Sequence, residues 1–319
     1  METVVNAKVK LIAVDAAFEG QRLDNFLMRE LKGVPKSKIY NILRRGEVRV
    51  NKGRAKPDYK LVAGDVVRVP PVRIAERETV AVPKTLEQTI RDAVLYEDDG
   101  LLIINKPSGL AVHGGSGVSL GLIESLRQVF PEYRQLELVH RLDRDTSGCV
   151  MVAKKRSVLK EIHELLKAKQ GVDKRYLALV AGKWPARKRQ VKVALEKNHL
   201  RSGERMVRVS PEGKFSLTEY QLLQRYRDAS LVEAKPITGR THQIRVHCQS
   251  AGYPILGDDK YGDEEANKHS KGLGLRRLFL HAHSLSLVVS GRRISVEAPL
   301  PDELQQFLTR IELPAQQGE

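Results

Sequence analysis

Cysteine occurs twice in this chain of 319 residues, tryptophan once, and aromatic residues make up only 5%. Two cysteines, Cys149 and Cys248, cannot build a disulfide framework, and neither sits in a metal-ligand spacing. Cys149 falls in the apolar run Cys149-Val150-Met151-Val152-Ala153 and reads as a buried, reduced thiol. No apolar run approaches the ~20 residues of a membrane helix. Residues Met1 to Val14 lack the continuous apolar core of a signal peptide, and no lipidation motif is present. Acidic residues are the other shortage. Asp and Glu number 39 against 55 Lys and Arg, for a net charge of +16 and a pI near 9.8. Such a surface attracts a polyanion. Nucleic acid is the expected partner, a membrane is not, and the cytoplasm is the expected compartment. The segment His113-Gly114-Gly115-Ser116-Gly117 lacks the Gly-Lys-Ser/Thr ending of a P-loop. It reads as a turn or as a place where backbone approaches RNA. The His163-Glu164 pair lacks the second histidine of a zinc helix, so no metal is expected.

What is present begins with a basic N-terminal module. Leu23, Phe26, Leu27 and Leu31 recur at helical spacing, and Gly33 and Pro35 break the pattern. Ser37 is a candidate cap for a second helix that buries Ile39, Ile42 and Leu43. Lys36, Lys38, Arg44 and Arg45 are left to point outward. Gly46 ends this helix, and Val48-Arg49-Val50, the turn Asn51-Lys52-Gly53 and Val66 to Val69 read as strands joined by turns. Gly20 to Pro70 holds thirteen Lys and Arg against five Asp and Glu, half the net charge of the chain. Pro70 to Arg91, with Pro70, Pro71 and Pro83, reads as an extended linker. The expected division is a basic module at 1–71, a linker at 72–91 and a large domain at 92–319.

The large domain is strand-rich, with helices expected over Gly121 to Phe130, Val158 to Ala168 and Ile244 to Ala251. It has neither a Rossmann fingerprint nor regular β-α-β alternation. An α+β fold with a mixed, mainly antiparallel sheet flanked by helices follows. Its most charged connection is His140-Arg141-Leu142-Asp143-Arg144-Asp145-Thr146-Ser147-Gly148, set between two β-compatible apolar runs. As composition this is a polar turn or a carboxylate held among arginines, and composition does not choose Asp143 over Asp145.

That stretch resembles the HRLD-x-x-TSG signature of the pseudouridine synthases that modify ribosomal and transfer RNA. Three further segments resemble the same family, in the same order. They are Asn105-Lys106-Pro107-Ser108-Gly109, then Lys174 to Gly182 with its K-x-Y-x-A-x-V-x-G pattern, then Thr238-Gly239-Arg240-Thr241-His242-Gln243-Ile244-Arg245-Val246-His247. The N-terminal module resembles an S4 RNA-binding domain, and the likeness runs from about Gly20 to about Pro299.

The resemblance implies an enzyme that isomerises specific uridines to pseudouridine in large-subunit (23S) ribosomal RNA, free or in pre-ribosomal particles. The base is flipped out, cut from the ribose at N1 and rejoined through C5. Nothing is oxidised or transferred away, so no cofactor is expected. The resemblance makes Asp143 the catalytic carboxylate, Arg245 its partner and Tyr176 the active-site tyrosine. A nearby guanidinium favours an ionised carboxylate. Arg141, Lys106, Arg240 and His242 are the implied substrate-binding residues, Arg141 filling the space left by the flipped base. His140, His242 and His247 are expected to serve structure rather than proton transfer. In the S4-like module Arg22, Lys36, Ser37, Lys38, Arg44, Arg45 and Lys52 are the expected RNA contacts. A monomer is expected. A non-catalytic RNA-binding factor and a transfer-RNA modifier are the competing readings, and intact motifs favour the synthase.

Overall fold

The structure is a computed structural model that describes residues 2–6, 8–31, 33–75, 80–114, 120–133, 135–199 and 205–312. Gly115-Ser116-Gly117 of the glycine-rich segment lie outside the described residues. The chain divides into two compact units, Met1–Thr79 and Val80–Glu319.

The first unit contains strands β1 (Glu2–Asn6) and β2 (Lys10–Ala13), helices α1 (Leu23–Glu30) and α2 (Lys36–Arg44), then β3 (Arg49–Val50), β4 (Gly53–Arg54), β5 (Val66–Val69) and β6 (Val72–Ala75). The apolar stripes of both helices are buried as their spacing requires: Leu23, Phe26 and Leu27 meet Ile39, Ile42 and Leu43 in one core. They cover a four-stranded sheet ordered β2-β5-β3-β4. Asp65 ties the turns together by accepting from Val62 N (2.9 Å) and Asn51 Nδ2 (2.7 Å). Ser37 is not the cap of α2. Pro35 holds that position, and its fixed φ starts the helix without a side-chain bond.

Among its described residues the expected linker carries two regular elements. Val72–Ala75 pairs antiparallel with β1, and Lys84–Asp92 is helix α3, which buries Ile90 in the large core. Pro83 stands just before that helix, where a missing N–H costs nothing. Prolines that read as a linker signal here close one element and open the next.

The second unit continues with β7 (Val94–Glu97), β8 (Leu101–Lys106), α4 (Leu122–Val129), β9 (Glu137–Leu138), β10 (Ser147–Ala153), α5 (Arg156–Ala168), β11 (Val172–Ala181), β12 (Gln190–His199), β13 (Arg205–Val209), β14 (Lys214–Arg225), β15 (Ala229–Pro236), α6 (Gln243–Ser250), α7 (Glu264–Gly272), β16 (Leu280–Val289), β17 (Arg292–Glu297) and α8 (Asp302–Ile311). Its strands form one mixed sheet, with β13-β12-β14-β15-β11-β16-β10-β8-β7 as the main path. Among the described residues only β10 and β16 pair in parallel, and over two residue pairs. The fold is α+β, as expected.

Strands β8 and β10 are buried on both faces, which explains their unbroken apolar runs. Leu102, Ile104, Val150 and Val152 face a core shared with α3 and α4. Leu101, Ile103, Met151 and Ala153 face a second core capped by Val158, Leu159 and Ile162 of α5. Burial raises the thiols of Cys149 to about 11 and Cys248 to about 12, and neither is bonded to another cysteine. The hydrogen-bonded hairpin β12–β13 and helix α7 were not expected from the sequence.

Candidate active site

The charged loop enters β10, and its shape is set from below. Gly148 has φ +107, and a Cβ there would stand 2.2 Å from the Ala282 carbonyl oxygen. Only glycine lets β10 lie this close to β16. The Asn105–Gly109 segment then grips the loop from the other side. Ser108 Oγ donates to the Asp145 carbonyl (2.8 Å), and Gly109 N donates to the Arg144 carbonyl (2.9 Å). Lys106 Nζ donates to the carbonyls of Arg144 (2.9 Å), Leu110 (2.8 Å) and Pro107 (2.9 Å). Burial, then Arg277, push Lys106 down to about 7, while Asp145 and Asp143 pull the other way. Lys106 is fully buried, so its expected role at the substrate gives way to holding the loop. A polar turn motif in sequence gave no sign of that burial.

The two aspartates part company. Asp143 lines a cleft of about 530 Å³, within the range of ligand pockets. Asp145 turns outward, 43% exposed, and pairs with Arg144 at 3.1 Å.

Helix α6 carries the partner of Asp143. Gln243, itself buried, fixes the turn before it. Its Oε1 accepts from Thr238 Oγ1 (2.7 Å) and Arg240 N (3.0 Å), and its Nε2 donates to the Leu217 carbonyl (3.0 Å). Arg245 Nη1 donates to Asp143 Oδ2 at 3.2 Å. The rest of that guanidinium is engaged by a residue that lies in none of the four motif segments. Asp258 receives Arg245 Nε and Nη2 in a two-point bond, each at 2.7 Å. Burial alone would disfavour the charge on Arg245, but Asp258 and then Asp143 overcome it and raise its pKa. Asp258 is likewise held below the usual carboxylate range, since Arg245 and two backbone N–H groups outweigh its burial. A charged residue between Gly257 and Gly262 is the only signal the sequence offered for it.

Tyr261 follows on the same loop. Its hydroxyl accepts from Val207 N (2.9 Å) and lies 2.8 Å from His242 Nδ1. The guanidinium of Arg245 stands 5.0 Å from its ring centroid. His242 has φ +52, a strained backbone that puts its Nε2 3.8 Å from Asp143 Oδ1. Burial lowers its pKa, with Asp143 opposing. His140 and His247 are tied into the fold by hydrogen bonds. His140 Nε2 accepts from Met151 N (3.2 Å), and His247 Nε2 lies 2.7 Å from Ser216 Oγ. Desolvation pushes them down to about 3 and about 4.

Tyr176 comes from β11, at the point where pairing with β16 shifts register between Arg175 and Leu177. A bulge of this kind re-aims a side chain, and Tyr176 lines the cleft. Burial, then the charge of Asp143, raise its hydroxyl pKa far above the ordinary value. Arg141 and Arg240 are exposed on the cleft wall, where Arg240 Nε also donates to the Phe215 carbonyl at 3.2 Å. The structure thus brings together Asp143, Arg245, Tyr176, Arg141, Arg240 and His242, and leaves out Lys106.

In the first unit Lys36, Ser37, Lys38, Arg44, Arg45 and Lys52 are exposed. Arg22 is engaged by the buried Asp24, at 2.7 Å.

A sheet-floored cleft holding an aspartate, its arginine and a tyrosine, in a chain with an S4-like first unit, defines a class of RNA-modifying enzyme. This chain belongs to the RNA pseudouridylate synthase family, and it is an RNA pseudouridine synthase. The family model described as RNA pseudouridylate synthase matches residues 100–250, and the S4 domain model matches residues 21–67. The chain is 57% identical over 309 residues to "Ribosomal large subunit pseudouridine synthase C" of Escherichia coli O157:H7, covering 95% of this chain and 97% of that one. The protein of the same description from Haemophilus influenzae (strain ATCC 51907 / DSM 11121 / KW20 / Rd) is 52% identical over 314 residues, covering 97% of each chain. Among solved structures, "Human RNA Pseudouridylate Synthase Domain Containing 4" is similar with a TM-score of 0.59 and 30% identity, over 72% of this chain and 98% of that one. Among the described residues no helix is long and apolar enough to cross a membrane.

Proposed function

We propose that this enzyme isomerises specific uridines of large-subunit (23S) ribosomal RNA to pseudouridine, acting as a cytoplasmic monomer on free RNA or pre-ribosomal particles. The observation that carries the reading is the Asp143 carboxylate at the cleft, 3.2 Å from a guanidinium that is itself anchored from behind. The large-subunit descriptions of its relatives support the substrate. The basic first unit supplies sequence-independent grip on phosphates.

In this reading the target uridine leaves its stack and enters the cleft, while the planar side chain of Arg141 fills part of the gap. Flipping costs a few kcal/mol. Asp143 acts as the catalytic carboxylate, and Arg245 keeps it charged and oriented. The bond from uracil N1 to the ribose breaks, the base turns, and C5 takes the place of N1. One proton must then leave C5. Tyr176 offers its ring as a platform, and its hydroxyl relays that proton. Its pKa is raised, so it works as a neutral phenol that takes the C5 proton as it gives up its own, and the proton balance closes on N1, which leaves the ribose and ends as N–H.

Pseudouridine mapping in RNA from cells with and without the gene tests the substrate. Sites in 23S RNA should vanish and transfer RNA should be unaffected. Loss of transfer-RNA sites alone would overturn the large-subunit assignment. Tyr176→Phe tests the relay. It keeps the ring, so RNA affinity should hold, while the single-turnover rate should fall about 10²–10⁴-fold, the usual worth of a positioned proton-transfer group. A Phe variant as fast as the parent would leave Tyr176 as a stacking residue only.

A further inference from the structure

A second hollow of about 690 Å³ adjoins the cleft, and His140, Lys174, Pro236, Thr238, Gly239 and Arg240 belong to the walls of both. It runs from the C-terminal end of α5 across the first residues of β11 to β16 and β17. Six cations line it: Lys167, Lys169, Lys174, Lys235, Arg240 and Arg293. Asp173 is the one carboxylate among the lining residues. It is already engaged by Lys235 Nζ at 2.8 Å and Arg175 Nε at 3.1 Å. Like charges gathered around a concave surface repel one another unless an anion enters between them.

Lys174 is the most telling of the six. It stands in the wall shared by the two hollows, and its side chain forms no hydrogen bond or ion pair among the described residues. Desolvation lowers its pKa, with no carboxylate opposing. The fold thus holds a half-buried amine that no carboxylate among the described residues engages.

Beside the groove lies an aromatic ring that the core does not use. Phe215 is 45% exposed. The ammonium groups of Lys169 and Lys192 each lie 5.6 Å from its ring centroid, and Arg240 bonds its carbonyl. An exposed ring among cations is the arrangement that stacks unpaired bases while the backbone is held by charge. Paired bases of an A-form duplex present no face to such a ring.

We infer that this groove is a second RNA-binding site, which takes the single-stranded segment flanking the target nucleotide, Lys174 holding a phosphate at the junction with the cleft and Phe215 stacking a flanking base. The inference rests on the uridine-isomerising reading for the identity of the target, but its test does not. The probe is a labelled unpaired RNA of about 20 nucleotides, long enough for one continuous site, titrated by anisotropy against the full chain. Replacing Lys167, Lys169 and Arg293 together by Gln should lower the slope of log K against log salt by about 2, since each single-strand phosphate left unneutralised removes roughly 0.7. Phe215→Ala should weaken binding about tenfold. Arg187→Gln with Lys188→Gln removes two cations that follow the far end of β11, which lies ~23 Å along the strand from Lys174, and should leave the slope unchanged. A parent-like slope in the triple variant would overturn the groove as an RNA path. Equal loss on a duplex probe would overturn its preference for a single strand. Pseudouridine formation by the parent on a ribosomal RNA fragment is read separately. Its absence would sink the proposed substrate and leave the binding result standing.

Discussion

Asp143→Asn is expected to abolish release of the C5 proton, a drop of about 10⁴-fold or more, as when one member of a catalytic unit is removed. The substitution keeps the shape of the side chain and removes only its charge. Arg245 retains its two bonds to Asp258, each at 2.7 Å, so its guanidinium is not stranded. Thermal unfolding should therefore be unchanged. RNA affinity should move by no more than about twofold, the scale of a substitution that breaks no buried network. Asp145→Asn is the matched control. It loses an exposed ion pair with Arg144, worth about 0–1 kcal/mol, and a longer-range attraction to Lys106 and Arg277, while its backbone carbonyl stays available to Ser108 Oγ. Activity should fall little. The measurement is single-turnover release of label from C5 of a target uridine. Retained activity in Asp143→Asn beside a dead Asp145→Asn would move the catalytic role to the other aspartate.

Much of this site was legible because its chemistry sits in compact, polar segments between apolar strands. The loop His140–Gly148 stood out by charge, and Lys174 to Gly182 by an apolar strand that carries a tyrosine. Arg245 was reached only through the resemblance, since it lies 102 residues from Asp143 and nothing in local spacing joins them. What the sequence hid was burial of polar groups. Lys106 looked like a cation for RNA, yet three carbonyls enclose it. Asp258 and Tyr261 looked like ordinary loop, because a buried ion pair breaks the apolar pattern that marks a core. The same blindness misread 72–91. Prolines mark boundaries of strands and helices as readily as they mark linkers, and Leu86 and Ile90, two apolar residues among polar neighbours, were too weak a sign of a packed helix.

Asp258→Ala should damage the fold of the large unit as severely as truncating one of its buried aromatic residues. Arg245 and Asp258 are almost fully buried, at 5% and 0% side-chain exposure. Removing one member of such a pair leaves a charge without compensation and costs about 3–5 kcal/mol. The N–H groups of Lys260 and Tyr261 lose their acceptor as well. Asp143 cannot substitute, because a single bond at 3.2 Å already joins it to Nη1 of the same guanidinium. The freed guanidinium should instead swing toward Asp143 and pull it from its position in the cleft. Two readouts separate these effects. The denaturation midpoint should fall sharply in Asp258→Ala. The milder Asp258→Asn, which preserves volume and an acceptor oxygen, should fold under assay conditions yet show a slower single-turnover step with RNA affinity intact. If Asp258→Asn matched the parent in rate while Arg245→Met did not, Asp258 would support the fold alone and the orientation of Arg245 would have another source.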